Sequence, residues 1–216
     1  MKLVIISDTH GYLRERDIPD GDVLIHCGDA CSSGQGFEFL HFAGQMHKIA
    51  ARFRLVLFTP GNHDRCVQAF PDKCRQVFEN QRCKMLIHES TEFEGVKFFG
   101  SPWTPAFLNW SYMYDRAKGK ELWSTIPNDT EVLFTHGMPY GILDSIGRLI
   151  GKEGDEHVGC KDLLERIGEI KPKIFAGGHL HLQGGRQFQN IDTLFVNAAI
   201  CDDSYSPTRK PFEIEI

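Results

Sequence analysis

Long apolar runs are what this chain of 216 residues most plainly lacks. No stretch approaches the ~20 apolar residues that a helix needs to cross a bilayer. The opening MKLVIISD carries one lysine and an apolar run that stops at Ile6, too short for the core of a signal peptide. A cytoplasmic protein without a membrane partner is expected. Excess positive charge is missing as well: a formal net charge of -5 speaks against a general nucleic-acid coat or a binder of acidic membranes. No stable nucleic-acid partner is expected, although nucleic acid is still admissible as a substrate. There is no disulfide framework, because the cysteines number seven and sit irregularly at 27, 31, 66, 74, 83, 160 and 201, which points to a reducing compartment. Linkers, low-complexity tracts and repeats are absent, and the length suits one compact unit. A single domain over residues 1–216 with no separate cap domain is the expectation.

What the sequence does hold is an ordinary globular composition, 41% hydrophobic and 25% charged, arranged as short apolar runs between longer amphipathic segments. LVII (3–6), VLIH (23–26), LVLF (55–58), EVLF (131–134) and KIFA (173–176) predict strands. None alternates strictly, so each is expected to be covered on both faces. In FEFLHFAGQMHKIAARF (37–53) the residues Phe39, Phe42, Met46, Ile49 and Phe53 recur at helical spacing. Leu163, Ile167 and Ile170 form a similar stripe that Pro172 closes. STEFEGVKFFGSP and the segment from Thr193 to the last residue alternate more, which predicts antiparallel strands added to a parallel core.

Each of the five strands runs into the same chemistry. LVII ends in Asp8 and His10, VLIH in Asp29, LVLF in Asn62-His63-Asp64, EVLF in His136, and KIFA in His179 and His181. Singly, each residue has an ordinary use: Asp8 or Asp29 as a helix cap, Asn62 in a turn, a histidine as a hydrogen-bonded core residue. Together, at the carboxyl ends of strands where open α/β sheets bind their ligands, they predict one converging site. Oxygen and imidazole donors without cysteine suit Mn, Fe, Zn or Ni. Seven candidate ligands exceed the needs of one ion and fit a pair roughly 3.5–4 Å apart.

The ordered motifs DTH, GD, GNHD, THG and GHLH resemble those of the calcineurin-like metallophosphoesterases. GSPWTP, THGMPYGILD, VGCKDLLERI, IKPKIFAGGH and NAAICDDSYSPTRKP are similar to the branch of metallophosphoesterase-domain-containing proteins of the 239AB type. The resemblance implies an α/β fold, a four-layer αββα sandwich of two mixed β-sheets flanked by helices. It implies that Asp8, His10 and His181 hold one metal, Asn62, His136 and His179 the other, and that Asp29 bridges. Some vertebrate members have glycine where His179 stands; here the motif is complete. Two divalent transition-metal ions are expected as cofactors, Mn first, with Fe, Zn, Ni or Co as alternatives.

The same resemblance implies a metal-dependent phosphodiesterase in which a hydroxide bridging the two metals attacks phosphorus, its parent water having a pKa lowered from about 15.7 to about 7. His63 would face the substrate, stabilising phosphorane charge or protonating the leaving oxygen, with Asp64 fixing its orientation; its ordinary use is a hydrogen bond within the loop. The expected partner is a small-molecule phosphoester, nucleotide-derived and of the cyclic-nucleotide kind. Apart from Arg65, the clusters carry no arginine or lysine to clamp a terminal phosphate. The alternatives are a phosphomonoesterase, as protein phosphatase or nucleotidase, and a catalytically weak nucleotide-binding scaffold. The aromatics Trp103, Phe107, Trp110, Tyr112 and Tyr114 could form a stacking wall for a base or a satellite hydrophobic cluster. Cys31 and Cys66 flank the motifs as packing or oxidation-sensitive neighbours.

Overall fold

A computed structural model of the chain describes residues 1–147 and 156–216. In chain order its strands and α-helices are β1 (Lys2–Ile6), β2 (Val23–His26), α1 (Gly36–Ile49), β3 (Leu55–Phe58), α2 (Arg65–Ala69), α3 (Pro71–Phe78), β4 (Cys83–Met85), β5 (Glu89–Phe93), β6 (Val96–Ser101), β7 (Thr104–Pro105), β8 (Met113–Tyr114), α4 (Gly119–Ser124), β9 (Val132–Thr135), α5 (Lys161–Ile170), β10 (Ile174–Gly177), β11 (Arg186–Gln189), β12 (Leu194–Asn197) and β13 (Phe212–Glu215). Two sheets dominate, ordered β13-β1-β2-β3-β4 and β11-β12-β10-β9-β6-β5. Each is mixed: β1 to β4 run parallel with β13 antiparallel at one edge, and β6, β9, β10 and β12 run parallel between antiparallel β5 and β11.

The two-residue period of a strand sorts the core into layers. Along β1, Leu3 and Ile5 face Val132, Phe134, Ile174 and Val196 of the second sheet. Val4 and Ile6 face the other way, toward Phe39, Phe42, Met46 and Ile49 of α1 and Phe78 of α3. On the far side of the second sheet, Phe99, Leu133, Phe175 and Phe195 meet Trp123 of α4 and Leu163 and Ile167 of α5. The outcome is helix, sheet, sheet, helix, as the strands' unbroken apolar runs require. Each buried phenylalanine contributes roughly 1.5–3 kcal/mol relative to exposure.

Local signals explain where the elements stop. At the start of α1, Glu38 accepts hydrogen bonds from the Gln35 and Ser33 backbone N–H groups at 2.8 and 3.2 Å, a reciprocal capping box. The helix ends at Ile49 and a single 3-10 turn, Ala50–Arg52, follows, so Phe53 joins the core from extended backbone rather than from the helix stripe. α5 ends in left-handed Lys171, just ahead of Pro172. β5 and β6 form the expected antiparallel hairpin. β12 departs from the antiparallel expectation: the edge strand β11 turns back into it, so β12 runs parallel to β10. Four-residue β11 is exposed throughout and three-residue β4 is short, which leaves neither with an apolar run to betray it. No helix among the described residues is long and apolar enough to cross a membrane.

Candidate metal centre and active site

Where the two sheets meet, their carboxyl ends share one crevice. The Ser7 N–H, one residue past β1, donates to Ala198 O beyond β12 at 2.8 Å. Chain leaving β1, β2 and β10 must turn sharply there to aim side chains back over the sheet ends. Asp8, His10, Asp29 and His179 accordingly take left-handed backbone, with φ of 53°, 42°, 55° and 67°. Asp and His tolerate that region better than most residues, yet it costs on the order of 1–3 kcal/mol each. Gly28 (φ 105°) clears the way for a ligand: a Cβ there would sit 2.5 Å from His136 Nδ1.

All seven candidate ligands are brought together. His181 Nε2 lies 3.2 Å and His10 Nε2 4.0 Å from Asp8 Oδ1. His136 Nε2 is 2.9 Å from Asn62 Oδ1 and 3.3 Å from Asp29 Oδ2, and His179 stacks edge-on to His136 at 5.0 Å. Among the described residues, three groups have metal-ligating spacing: Asp8 with His10 and His181, His10 with Asp29 and His63, and Asp29 with His136 and His179. Asp29 is common to two of these groups, its Oδ2 lying 3.9 Å from His10 Nε2 and 3.3 Å from His136 Nε2.

The imidazole hydrogen bonds reveal which nitrogens are free. His10 Nδ1 donates to Cys31 O at 3.2 Å, His136 Nδ1 to Cys27 O at 2.9 Å, and His181 Nδ1 to Asp202 O at 3.0 Å. A carbonyl only accepts, so each Nδ1 carries hydrogen and each Nε2 turns toward the centre. His10 Nε2 and His181 Nε2 then face each other at 3.1 Å. In the neutral rings that opposes two lone pairs unless a cation lies between them. The donor set, two carboxylates, an amide oxygen and four imidazoles, fits a divalent transition metal.

Charges in the crevice are tightly paired. Burial works to raise Asp8 and Asp29, yet His181 and His136 beside Asp8, and His136 and His10 beside Asp29, hold both carboxyls below the usual range. Burial likewise opposes charge on His136, but Asp29 and Asp8 keep it up at about 9. Burial and the neighbouring His136 charge drive His179 down to about 3. Metal ligation needs a neutral imidazole, so metal binding should expel the His136 proton. Apparent affinity should climb by up to about tenfold per pH unit below about pH 9 from that proton alone. Metal titrations in buffers of differing ionisation enthalpy measure the release; pH-independent affinity would contradict it.

His63 is held differently from the expectation. Its Nδ1 donates to Ser32 O at 2.6 Å, and Ser32 Oγ donates to His10 O at 2.7 Å. Asp64 does not touch the ring. Its carboxylate accepts from Gly61, Cys31 and Ala30 N–H groups at 2.8, 2.9 and 3.3 Å, tying the loops after β2 and β3 together. Burial and the Asp29 charge raise Asp64 to about 6. The orienting part expected of Asp64 falls to a backbone carbonyl, because the left-handed turn at Asp29 brings residue 32 nearer the ring than the carboxylate.

A cavity of about 700 Å³ opens beside the centre, lined by Asp29, Asn62, His63, His179 and His181 on one side and by Phe107, Leu108, Met138, Ile146 and Leu182 on the other. The aromatic run divides. Tyr112 and Tyr114 are buried and Trp103 packs on Tyr112 at 5.6 Å, so these three serve the core. Phe107 lies 5.2 Å from the His179 ring and Trp110 stacks on His63. Arg65 lies over Trp110, 5.0 Å from the ring centroid, and does not line the cavity. Arg116 does, with its Nη1 and Nη2 donating to Gly159 and Val158 carbonyls at 2.9 and 2.6 Å. Tyr205, left-handed at φ 58°, presents its ring 4.7 Å from His10 and 5.2 Å from His181. Neither Arg116 nor Tyr205 stands beside a strand-end motif; Tyr205 lies within the family-like segment NAAICDDSYSPTRKP, which carried no site assignment. Cys31 and Cys66 are both buried in the α1 core layer, as packing neighbours.

Comparison with known proteins agrees with this arrangement. The profile of the family described as calcineurin-like phosphoesterase matches residues 1–183. A UPF0046 protein of Caenorhabditis elegans is 34% identical over 98% of this chain and 73% of its own length. Metallophosphoesterase domain-containing protein 1 of Homo sapiens is 28% identical over 100% of this chain and 71% of its own. In fold, a crystal structure from Thermus thermophilus superposes with a TM-score of 0.62 at 14% identity, covering 99% of this chain and 98% of that one.

Proposed function

Because the chain belongs to the calcineurin-like phosphoesterase family, we propose that it is a hydrolase of phosphodiesters working through two divalent metal ions, Mn²⁺ first. The observation that carries this reading is the placing of Asp29 between two imidazole-rich groups whose Nε2 atoms converge. Asp8, His10 and His181 would hold one ion, Asn62, His136 and His179 the other, with Asp29 shared. The ions, when bound, supply Lewis acidity toward phosphoryl oxygens and a source of nucleophile at neutral pH.

The chain's own residues do the rest. Cys27, Cys31 and Asp202 carbonyls fix the ligand imidazoles. With Nδ1–H committed to Ser32 O, His63 directs Nε2 as the group that meets the phosphoryl oxygens or the leaving oxygen. The apolar wall of Phe107, Leu108, Met138 and Ile146 excludes water and seats an organic substituent, which in the finer reading is the base of a cyclic nucleotide.

Diesters are favoured over monoesters by the scarcity of cationic side chains lining the cavity among the described residues. Among the described residues, Arg116 is the one arginine or lysine lining the cavity, and each of its terminal nitrogens gives one of its two N–H groups to a carbonyl. A terminal phosphate would want such a donor for its additional charge. The Mn²⁺-loaded enzyme should therefore show a higher kcat/KM for a bis-aryl phosphate than for the mono-aryl ester, and for a cyclic nucleotide than for the matching 5'-monophosphate. Preference for the monoester in both pairs would replace the diesterase reading with the phosphatase one.

A further inference from the structure

The loop between β7 and β8 holds the one large aromatic ring that lies flat on His63. Trp110 and His63 stack with centroids 4.3 Å apart and planes inclined by 29°. The imidazole meets His10 edge-on at 4.8 Å and donates through Nδ1 to Ser32 O in its own plane. That hydrogen bond fixes tautomer and in-plane direction but leaves the ring free to tilt about it. Only a contact on the ring's face can remove the tilt.

The indole is itself braced. Arg65 places its guanidinium over it at 5.0 Å, a cation–π contact, and donates through Nη2 to Asn109 O at 3.3 Å. On the other side of Trp110 in sequence, Ser111 N–H donates to Asn62 O at 3.3 Å and Tyr112 N–H to Gln68 Oε1 at 3.2 Å. The loop is thus tied to the same chain segment, 62–68, that carries His63. The same indole thus meets the imidazole at 4.3 Å and the guanidinium at 5.0 Å.

We propose that Trp110, braced by Arg65, is a positioning residue that fixes the tilt of the His63 imidazole and so aims Nε2 at the reacting phosphoryl group. This rests on the reading of His63 as the substrate-facing group. A misplacement on the scale of 1 Å costs catalysis about 10²-fold, so loss of the wall lowers turnover while leaving ligand atoms and cavity in place.

The test is a double-mutant cycle in the Mn²⁺-loaded full chain with a bis-aryl phosphate. Trp110→Ala should lower kcat by about 10- to 100-fold with KM within about twofold and two metals still bound. In a His63→Ala background, already reduced by about 10²-fold or more, the same change should do nothing further, since a residue acting through another loses its effect when that partner is gone. Trp110→Phe, which keeps a flat face, should restore most of the rate, whereas Trp110→Leu, which keeps apolar bulk without one, should not; this pair carries the test should the alanine variant fold poorly. Equal losses in both backgrounds, or a raised KM at unchanged kcat, would overturn the positioning role alone. An unchanged kcat in His63→Ala with both metals bound would remove the functional reading and the positioning role with it.

Discussion

Asp29→Asn should reduce turnover by on the order of 10³-fold or more and leave a folded chain that holds fewer than two metals, because the shared ligand loses the anionic charge a bridge needs. The substitution is nearly isosteric. The amide oxygen can still accept from His63 N–H, as Oδ1 does now at 2.7 Å, so the loop after β3 keeps its anchor. What changes is the face toward His136 and His10, whose Nε2 atoms lie 3.3 and 3.9 Å from Oδ2. With its oxygen kept at the Oδ1 position, the amide turns an N–H₂ group to that face, no ligand at all. Metal content after equilibration, activity under excess Mn²⁺ and the far-ultraviolet circular dichroism spectrum together decide the matter. Full activity with two metals bound would show that Asp29 does not bridge.

A second large loss should follow from one methyl group. Gly178 sits against the Asp8 carboxylate and the Ser7 hydroxyl so closely that a Cβ would fall on both. The site needs the contact, since the next residue, His179, donates its N–H to Asp8 Oδ2 at 2.9 Å. Gly178→Ala should push the Asp8 carboxylate out of line with His181 and His10, remove the first metal and lower kcat by about 10²-fold or more, as misplaced groups do. The β10 core, Ile174 to Ala176, points into the two sheet interfaces and should keep the fold cooperative. Metal stoichiometry and a thermal melt separate the outcomes: a variant with both metals and normal turnover would mean that the crevice yields, and that the tight approach is not what aims Asp8.

The five central strands could be read from composition because a strand covered on both faces is largely apolar, as VLI of β2 and LVLF of β3 are. The carboxylates and imidazoles could be read for a related reason: a group so costly to bury is conspicuous directly after such a run. Elements that bury little left no mark, as with exposed β11. Residues that reach the centre from far along the chain were invisible for another reason. Arg116 has a side chain suited equally to core, surface or site, and only the path of the intervening loops decides among these; Trp110 stood out as an aromatic, but its place on His63 did not. At His63 the resemblance implies support from Asp64, but in space that carboxylate turns to three backbone N–H groups and a carbonyl at residue 32 takes its place.

Three of the candidate ligand imidazoles and His63 are all addressed by main-chain oxygens, those of residues 31, 27, 202 and 32. Every amino acid carries that oxygen. The positions that orient the centre are therefore free to drift in side-chain identity without disturbing it, provided the turns that bear them keep their course. Substitution at Cys27 or Asp202 is limited by packing or by the turn, not by what the histidine requires. A register of tolerated replacements at these sites would look like that of ordinary core or loop residues, and the outer half of the candidate metal centre is inherited as backbone shape rather than as letters.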